Sequence, residues 1–241
     1  MEKNKPQIVP APWQLKGTGY MFLYNFPKNW AEKANFLPVE QRGEFKGGLG
    51  TLMLVDYESS DAGPYRELLF IPGKFSWFHY RNYAISRIWV SSESSVVSGR
   101  ENWGIPKNLA HFRINASSER RQSWEVITPE GQTFFKADLS HGRLPLPVHT
   151  AFVPFPLLQT WEGRDYLTKF SGYGLGRFAR LERLEINQEL FPDITAKKPL
   201  LGLRVDPFHI RFPVPQMIEA PAGRLQPSAA AGVFGSSGHS A

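Results

Sequence analysis

The 241-residue chain is 41% hydrophobic and 14% aromatic, enough for one large core, and it contains no cysteine, which excludes disulfides, thiolate metal ligands and cysteine nucleophiles. Its 20 prolines and 21 glycines are spread along the whole length, as many short strands and few long helices require, so a mainly β fold is expected. The formal charge of +6 is scattered among interleaved Asp and Glu, with Glu119-Arg120-Arg121 and Lys197-Lys198 the longest clusters, so neither nucleic acid nor a membrane surface is an expected partner.

The first expected element is a buried strand over Thr18–Phe26, rich in aromatic and apolar residues. Pro27 then suits the first position of a helix running to Asn35, with Trp30, Ala31 and Ala34 on one face. A second strand is predicted over Leu49–Tyr57, and Asp61-Ala62-Gly63-Pro64 turns the chain into strands at Tyr65–Ile71 and Tyr83–Ser91. Ser91-Ser92-Glu93-Ser94-Ser95 has the composition of a helix start, and the short helix it opens must end at Gly104 and Pro106. Arg121–Thr128 and Thr133–Leu139 form the clearest hairpin, and Arg177–Asn187 and Leu200–Phe212 complete a set of about eight to ten strands. No linker divides residues 1–218, which read as a single domain. Residues 219–241, rich in Ala, Gly, Ser and Pro, are too poor in core residues to offset chain entropy and read as a disordered tail. No apolar run reaches membrane-spanning length and Met1–Pro12 lacks a signal-peptide pattern, so a soluble, cytoplasmic protein is expected.

The most informative block is Gly99-Arg100-Glu101-Asn102-Trp103-Gly104-Ile105-Pro106-Lys107-Asn108-Leu109-Ala110. Trp103, Ile105, Leu109 and Phe112 supply apolar surroundings for Lys107, and Pro106 biases Ile105 toward extended backbone. A lysine attacks a ketone only as the free amine. Its ordinary pKa of about 10.4 must therefore fall, through desolvation or a neighbouring cation. Upstream, alternation along Tyr65-Arg66-Glu67 puts Tyr65 and Glu67 on one face and Arg66 on the other.

The block resembles the active-site segment of the acetoacetate decarboxylase family, in Gly-Arg-Glu, four residues, then Pro-Lys, one residue, and Leu-Ala. Tyr65-Arg66-Glu67 stands about forty residues earlier, where the family has a pocket glutamate after a Tyr-x-Glu pattern. The resemblance covers roughly residues 12–215. It implies an antiparallel, cone-like or barrel-like sheet with a few short helices (an α+β fold, mainly β) and an enclosed pocket. Lys107 is then the Schiff-base lysine and Glu67 the acid/base group, with Tyr65, Arg100, Glu101, Trp103 and Asn108 in support. No cofactor or metal is required, the partner is a small-molecule keto acid or ketone, and a homo-oligomer is expected because members are commonly oligomeric.

Two departures bear on the substrate. The family's second lysine is here Asn108; two ammonium groups about 7 Å apart at an effective dielectric near 20 repel by about 2.4 kcal/mol, so its loss weakens activation of Lys107 unless a cation such as Arg100 compensates. The family's carboxylate-binding arginine falls at Gly17, so the two charge-assisted bonds of that clamp are missing. Arg66, Arg81 and Arg87 are the candidate substitutes.

The implied activity is that of a Schiff-base-forming carbon–carbon lyase, a decarboxylase acting on a keto acid. The alternatives are a related aldolase or dehydratase on a larger keto acid, or a non-catalytic barrel that holds a hydrophobic ligand. Other chemistries find little support. The six histidines show no pair at metal-ligand spacing. Gly172-Tyr173-Gly174-Leu175-Gly176 has the wrong spacing for a dinucleotide loop and reads as a bend or bulge in a strand. No Gly-x-Ser-x-Gly nucleophile elbow occurs.

Overall fold

Alternating burial organises the molecule. The computed structural model describes residues 6–30, 43–77, 80–150 and 156–218. Even-numbered side chains of strand β1 (Trp13–Phe26), namely Tyr20, Phe22, Tyr24 and Phe26, enter one apolar cluster, while Trp13 and Leu15 enter a second on the opposite face. The next two strands continue the division. In β2 (Phe45–Ser59), Leu52 and Leu54 join the first cluster and Val55 and Tyr57 the second; in β3 (Tyr65–Ile71), Leu68 and Phe70 join the first and Tyr65 and Leu69 the second.

The chain continues through β4 (Lys74–Trp77), β5 (Tyr80–Tyr83), β6 (Arg87–Val90), helix α1 (Glu93–Trp103) and β7 (Lys107–Leu109). There follow β8 (His111–Ser118), β9 (Arg121–Ile127), β10 (Thr133–His141), β11 (Leu146–His149), β12 (Leu157–Trp161), β13 (Arg164–Thr168), β14 (Ser171–Ile186), β15 (Leu201–Phe212) and β16 (Gln216–Ile218). One hydrogen-bonded path runs β16-β13-β12-β5-β4-β2-β1-β15-β14-β10-β9-β8. A branch leaves β2 through β3 and β6 to β7.

Several expectations hold, and others need correction. The strand at Tyr65–Ile71 has the expected bounds, and the hairpin of β9 and β10 closes through Gly131 N–H donating to the Thr128 carbonyl at 2.9 Å. The glycine run at 172–176 lies inside β14, where the register with β15 shifts between Gly174 and Gly176, as a bulge requires. The sheet, however, is mixed: β6 pairs β7 and β5 pairs β12 in parallel. Among the described residues the path does not close into a barrel, and there are sixteen strands and one helix. The expected strand at Tyr83–Ser91 is broken, because Ala84, Ile85 and Ser86 lie buried between β5 and β6. The expected helix beyond Trp30 and the tail from Glu219 lie outside the described residues. No helix among the described residues is long and apolar enough to cross a membrane.

Candidate active site

The branch β2-β3-β6-β7 carries the site on the face of the second cluster. Register places Tyr57 opposite Tyr65, Val55 opposite Glu67, Glu67 opposite Val90 and Ile88 opposite Lys107. Lys107 and Glu67, forty residues apart in sequence, thus project from neighbouring rows of one sheet face.

Helix α1 covers them. Ser92 caps its first turn, its side chain accepting from Ser95 N–H at 3.2 Å, and Glu93 in that turn suits the positive end of the helix. Gly104 ends the helix with φ 63°, a left-handed conformation costly for any residue with a Cβ, while its N–H donates to the Arg100 carbonyl and that of Ile105 to the Gly99 carbonyl. Pro106 then prevents resumption, and the chain enters β7 at Lys107. Ser95 and Gly99, four residues apart, share the helix face that the Lys107 stem crosses. A Cβ on Gly99 would stand 2.7 Å from Lys107 Cδ and 2.9 Å from Cε, so the missing side chain makes the channel for the lysine.

At the end of that channel the ammonium is fully satisfied. Lys107 Nζ donates to Ser95 Oγ at 3.0 Å, to Glu67 Oε2 at 3.1 Å and to Tyr65 OH at 3.4 Å, matching its three N–H groups. The Tyr57 hydroxyl donates to the other carboxylate oxygen, Glu67 Oε1, at 3.2 Å. The Tyr57 and Tyr65 rings lie 4.6 Å apart. Lys107 and Glu67 are only 4% and 3% exposed, so this is an ion pair removed from water.

Burial and pairing act on the lysine in opposite directions. Desolvation is the largest single influence and lowers its pKa; the Glu67 carboxylate, with Tyr65, outweighs it, and the net direction is upward. This corrects the expectation of a lysine brought toward neutrality: the resting group is an ammonium locked to a carboxylate. Burial chiefly pushes the Tyr65 phenol up to about 12, although Lys107 opposes it, and drives Tyr57 well above the ordinary tyrosine value. Both phenols stay protonated at neutral pH and can donate.

Of the supporting residues, Arg100 clamps the backbone. Its Nη2 donates to the Lys107 carbonyl at 2.5 Å and its guanidinium lies over the Trp161 ring, 5.2 Å from the centroid. Its charge is thus applied to the main chain of Lys107. Glu101 is exposed on the helix, and the structure does not bring it into the site. Trp103 is structural: Nε1 donates to the Pro213 carbonyl at 2.7 Å, and the ring meets Trp13 and Phe212 edge-on. Ile105 and Leu109 belong to the cluster around the site as expected, but Phe112 lies in the other one. Counting alternation on from Lys107 gives the reason, since even positions face away. Asn108 faces away for the same reason and bonds the Pro106 carbonyl through Nδ2 at 3.4 Å.

The three candidate arginines do not restore a clamp. Arg66 turns to the opposite face, pairing with Asp56 at 3.5 Å and bonding the Phe112 carbonyl at 3.4 Å. Arg87 shares that opposite face and donates to the Ser86 carbonyl at 2.7 Å. Arg81 is exposed. Among the described residues no group of three His, Asp or Glu side chains is arranged to hold a metal. Sequence reasoning missed Ser95, Gly99 and Tyr57. The i, i+4 spacing of Ser95 and Gly99 was the available signal for the first two; Tyr57 required knowing that β2 and β3 pair at Tyr65.

Comparisons with known proteins bear on the family and the fold. A family model described as Acetoacetate decarboxylase (ADC) matches residues 4–160. The curated Protein NEOXANTHIN-DEFICIENT 1 of Arabidopsis thaliana is 31% identical over 114 residues, a match spanning 46% of this chain and only 39% of that protein's length. The fold is similar to that of acetoacetate decarboxylase from Legionella pneumophila, with a TM-score of 0.64 at 11% identity over 87% of this chain and 88% of the other. An acetoacetate decarboxylase-like enzyme from Sphingomonas wittichii RW1 gives 0.64 at 13% identity, over 91% and 98% of the two chains. The enduracididine biosynthesis enzyme MppR, complexed with the condensation product of pyruvate and imidazole 4-carboxaldehyde, gives 0.61 at 14% identity, over 87% and 90%. With the family model matching well over half of its length, and the solved members sharing its fold, this chain belongs to the acetoacetate decarboxylase family.

Proposed function

We propose that the protein is a Schiff-base-forming carbon–carbon lyase in which Lys107 is the amine and Glu67 carries the proton. The observation that supports this most is the 3.1 Å Lys107–Glu67 pair, buried together in an apolar face. Passing a proton from Nζ to Oε2 converts two buried charges into two neutral groups. That costs far less than expelling the proton to water and leaving the carboxylate buried alone. The free amine then attacks the carbonyl carbon of a bound ketone or keto acid, and protonated Glu67 returns the proton to the departing hydroxyl. The resulting iminium accepts the electron pair of the neighbouring bond as it breaks, the enamine takes a proton at carbon, and water releases the product. One protein of similar fold, MppR, has been solved complexed with pyruvate.

Oxygen exchange tests this reading. Imine formation and hydrolysis replace the carbonyl oxygen with one from solvent, so a panel of ketones and keto acids in ¹⁸O-water should gain label with wild-type protein and not with Lys107→Ala. A second reading, a non-catalytic binder of a hydrophobic molecule, is favoured by the completeness of the ammonium's hydrogen bonding. Exchange no faster than in buffer for every compound would sink the lyase in favour of that binder.

A further inference from the structure

We infer that the carbonyl compound taken up at Lys107 carries no carboxylate: the substrate is an uncharged β-hydroxy ketone or aldehyde, cleaved in a retro-aldol step. This rests on the Schiff-base reading of Lys107 given above and narrows its substrate.

Position 17, where the resemblance puts the carboxylate-binding arginine, lies beside the site. Gly17 pairs with Tyr57 on one side and Phe208 on the other, at a register shift in β1. A Cβ there would collide with the Asp56 carbonyl oxygen and come within 2.9 Å of Tyr57 Cα, both of them backbone atoms that cannot swing aside. The Tyr57 and Phe208 rings meet edge to face, 5.7 Å apart, across the strand at this position. The backbone therefore forbids any side chain at this point, and two aromatic rings occupy the strands to either side. Arg66 and Arg87 face the opposite side of the sheet, and Arg100 is committed to the Lys107 carbonyl and the Trp161 ring.

Among the described residues, the amine is surrounded by one carboxylate and neutral hydroxyls. Glu67 already balances Lys107, so a substrate carboxylate would bring a second negative charge beside an ammonium that is already matched. Tyr65 OH and Ser95 Oγ, by contrast, suit a substrate hydroxyl or carbonyl oxygen. Without a carboxylate to lose, the electrons come from another bond. Once the iminium has formed with loss of water, Glu67 takes the proton of the β-hydroxyl and the Cα–Cβ bond breaks. The β-carbon leaves as a neutral aldehyde; the bond pair becomes the carbon–carbon double bond of the enamine, and the iminium π pair moves to nitrogen. Glu67 returns its proton to the α-carbon, and hydrolysis frees the ketone and Lys107.

The test uses two compounds of one four-carbon skeleton, 4-hydroxy-2-butanone and acetoacetate, each mixed at equal concentration with the full chain and borohydride. Adduct is read by intact mass and release of formaldehyde or carbon dioxide is followed without borohydride. At least tenfold more adduct is expected from the hydroxyketone, with formaldehyde released. Equal or greater adduct from acetoacetate, or release of carbon dioxide from it, overturns this inference and leaves the Schiff-base reading standing. No adduct from either compound overturns both.

Discussion

Replacing Gly99 with alanine perturbs the lysine without touching a group that makes or breaks bonds. The new Cβ would lie 2.7 Å from Lys107 Cδ and 2.9 Å from Cε, about 1 Å inside the usual carbon–carbon separation of about 3.5 to 4.0 Å. The atoms in the way belong to a flexible stem, so the stem moves and the helix stays. Overpacking of this kind costs about 1 to 3 kcal/mol, against which alanine recovers about 1 kcal/mol of helix propensity over glycine. The net is a loss of about 0 to 2 kcal/mol, a fall in Tm of at most about 8 °C for a chain of this size. Chemistry should suffer far more. A displacement of about 1 Å pulls Nζ from Glu67, Ser95 and Tyr65 together, and misplacement of that order costs about 100-fold in rate. Thermal unfolding and ¹⁸O exchange, measured side by side, read the two effects separately. A Gly99→Ala protein that exchanges oxygen at the wild-type rate would refute the idea that α1 positions the amine.

Glu67→Gln leaves the ammonium buried without its counter-charge, a loss of about 3 to 5 kcal/mol in denaturant titration, with exchange activity abolished because the proton has no carrier. Tyr57→Phe removes the donor to Glu67 Oε1, a hydrogen bond to a charged group worth about 1.5 to 3 kcal/mol; stability should fall by that amount and activity only partly, since the Oε2–Nζ contact remains. The folded pKa of Lys107 lies above its unfolded value, so the stability it contributes is complete below about pH 10.4 and is lost as pH rises through the folded value. Tyr65, raised to about 12 from 10, acts with the same sign. Unfolding titrations at pH 9 and pH 11 should therefore show a steeper loss for wild type than for Lys107→Met; equal slopes would contradict the pairing.

Much of the fold was legible because long strands announce themselves as apolar and aromatic runs between turn residues. β1, β2, β3 and the β9–β10 hairpin are runs of seven or more residues of this kind, and α1 follows its serine cap and glycine stop. Short strands escaped, since the three residues of β7 and the four of β4 and β11 are too few for any period to show. Parallel pairing escaped too, because β6 and β7 are joined by a helix whose crossover cannot be read from either strand. In the site, Lys107 and Glu67 were found from the Pro-Lys block and the Tyr-x-Glu pattern. The direction of the lysine's pKa was not, because burial and the carboxylate oppose one another and only the 3.1 Å contact shows which prevails.

Locating the covalent adduct decides whether Lys107 is the reacting amine. After borohydride reduction with a saturating carbonyl compound, the protein is digested and each lysine peptide weighed. The mass gain is expected on the peptide carrying Lys107, and it is lost when Glu67 is changed to Gln. Modification confined to exposed lysines such as Lys16, Lys46 and Lys136, with Lys107 unaltered, would contradict it.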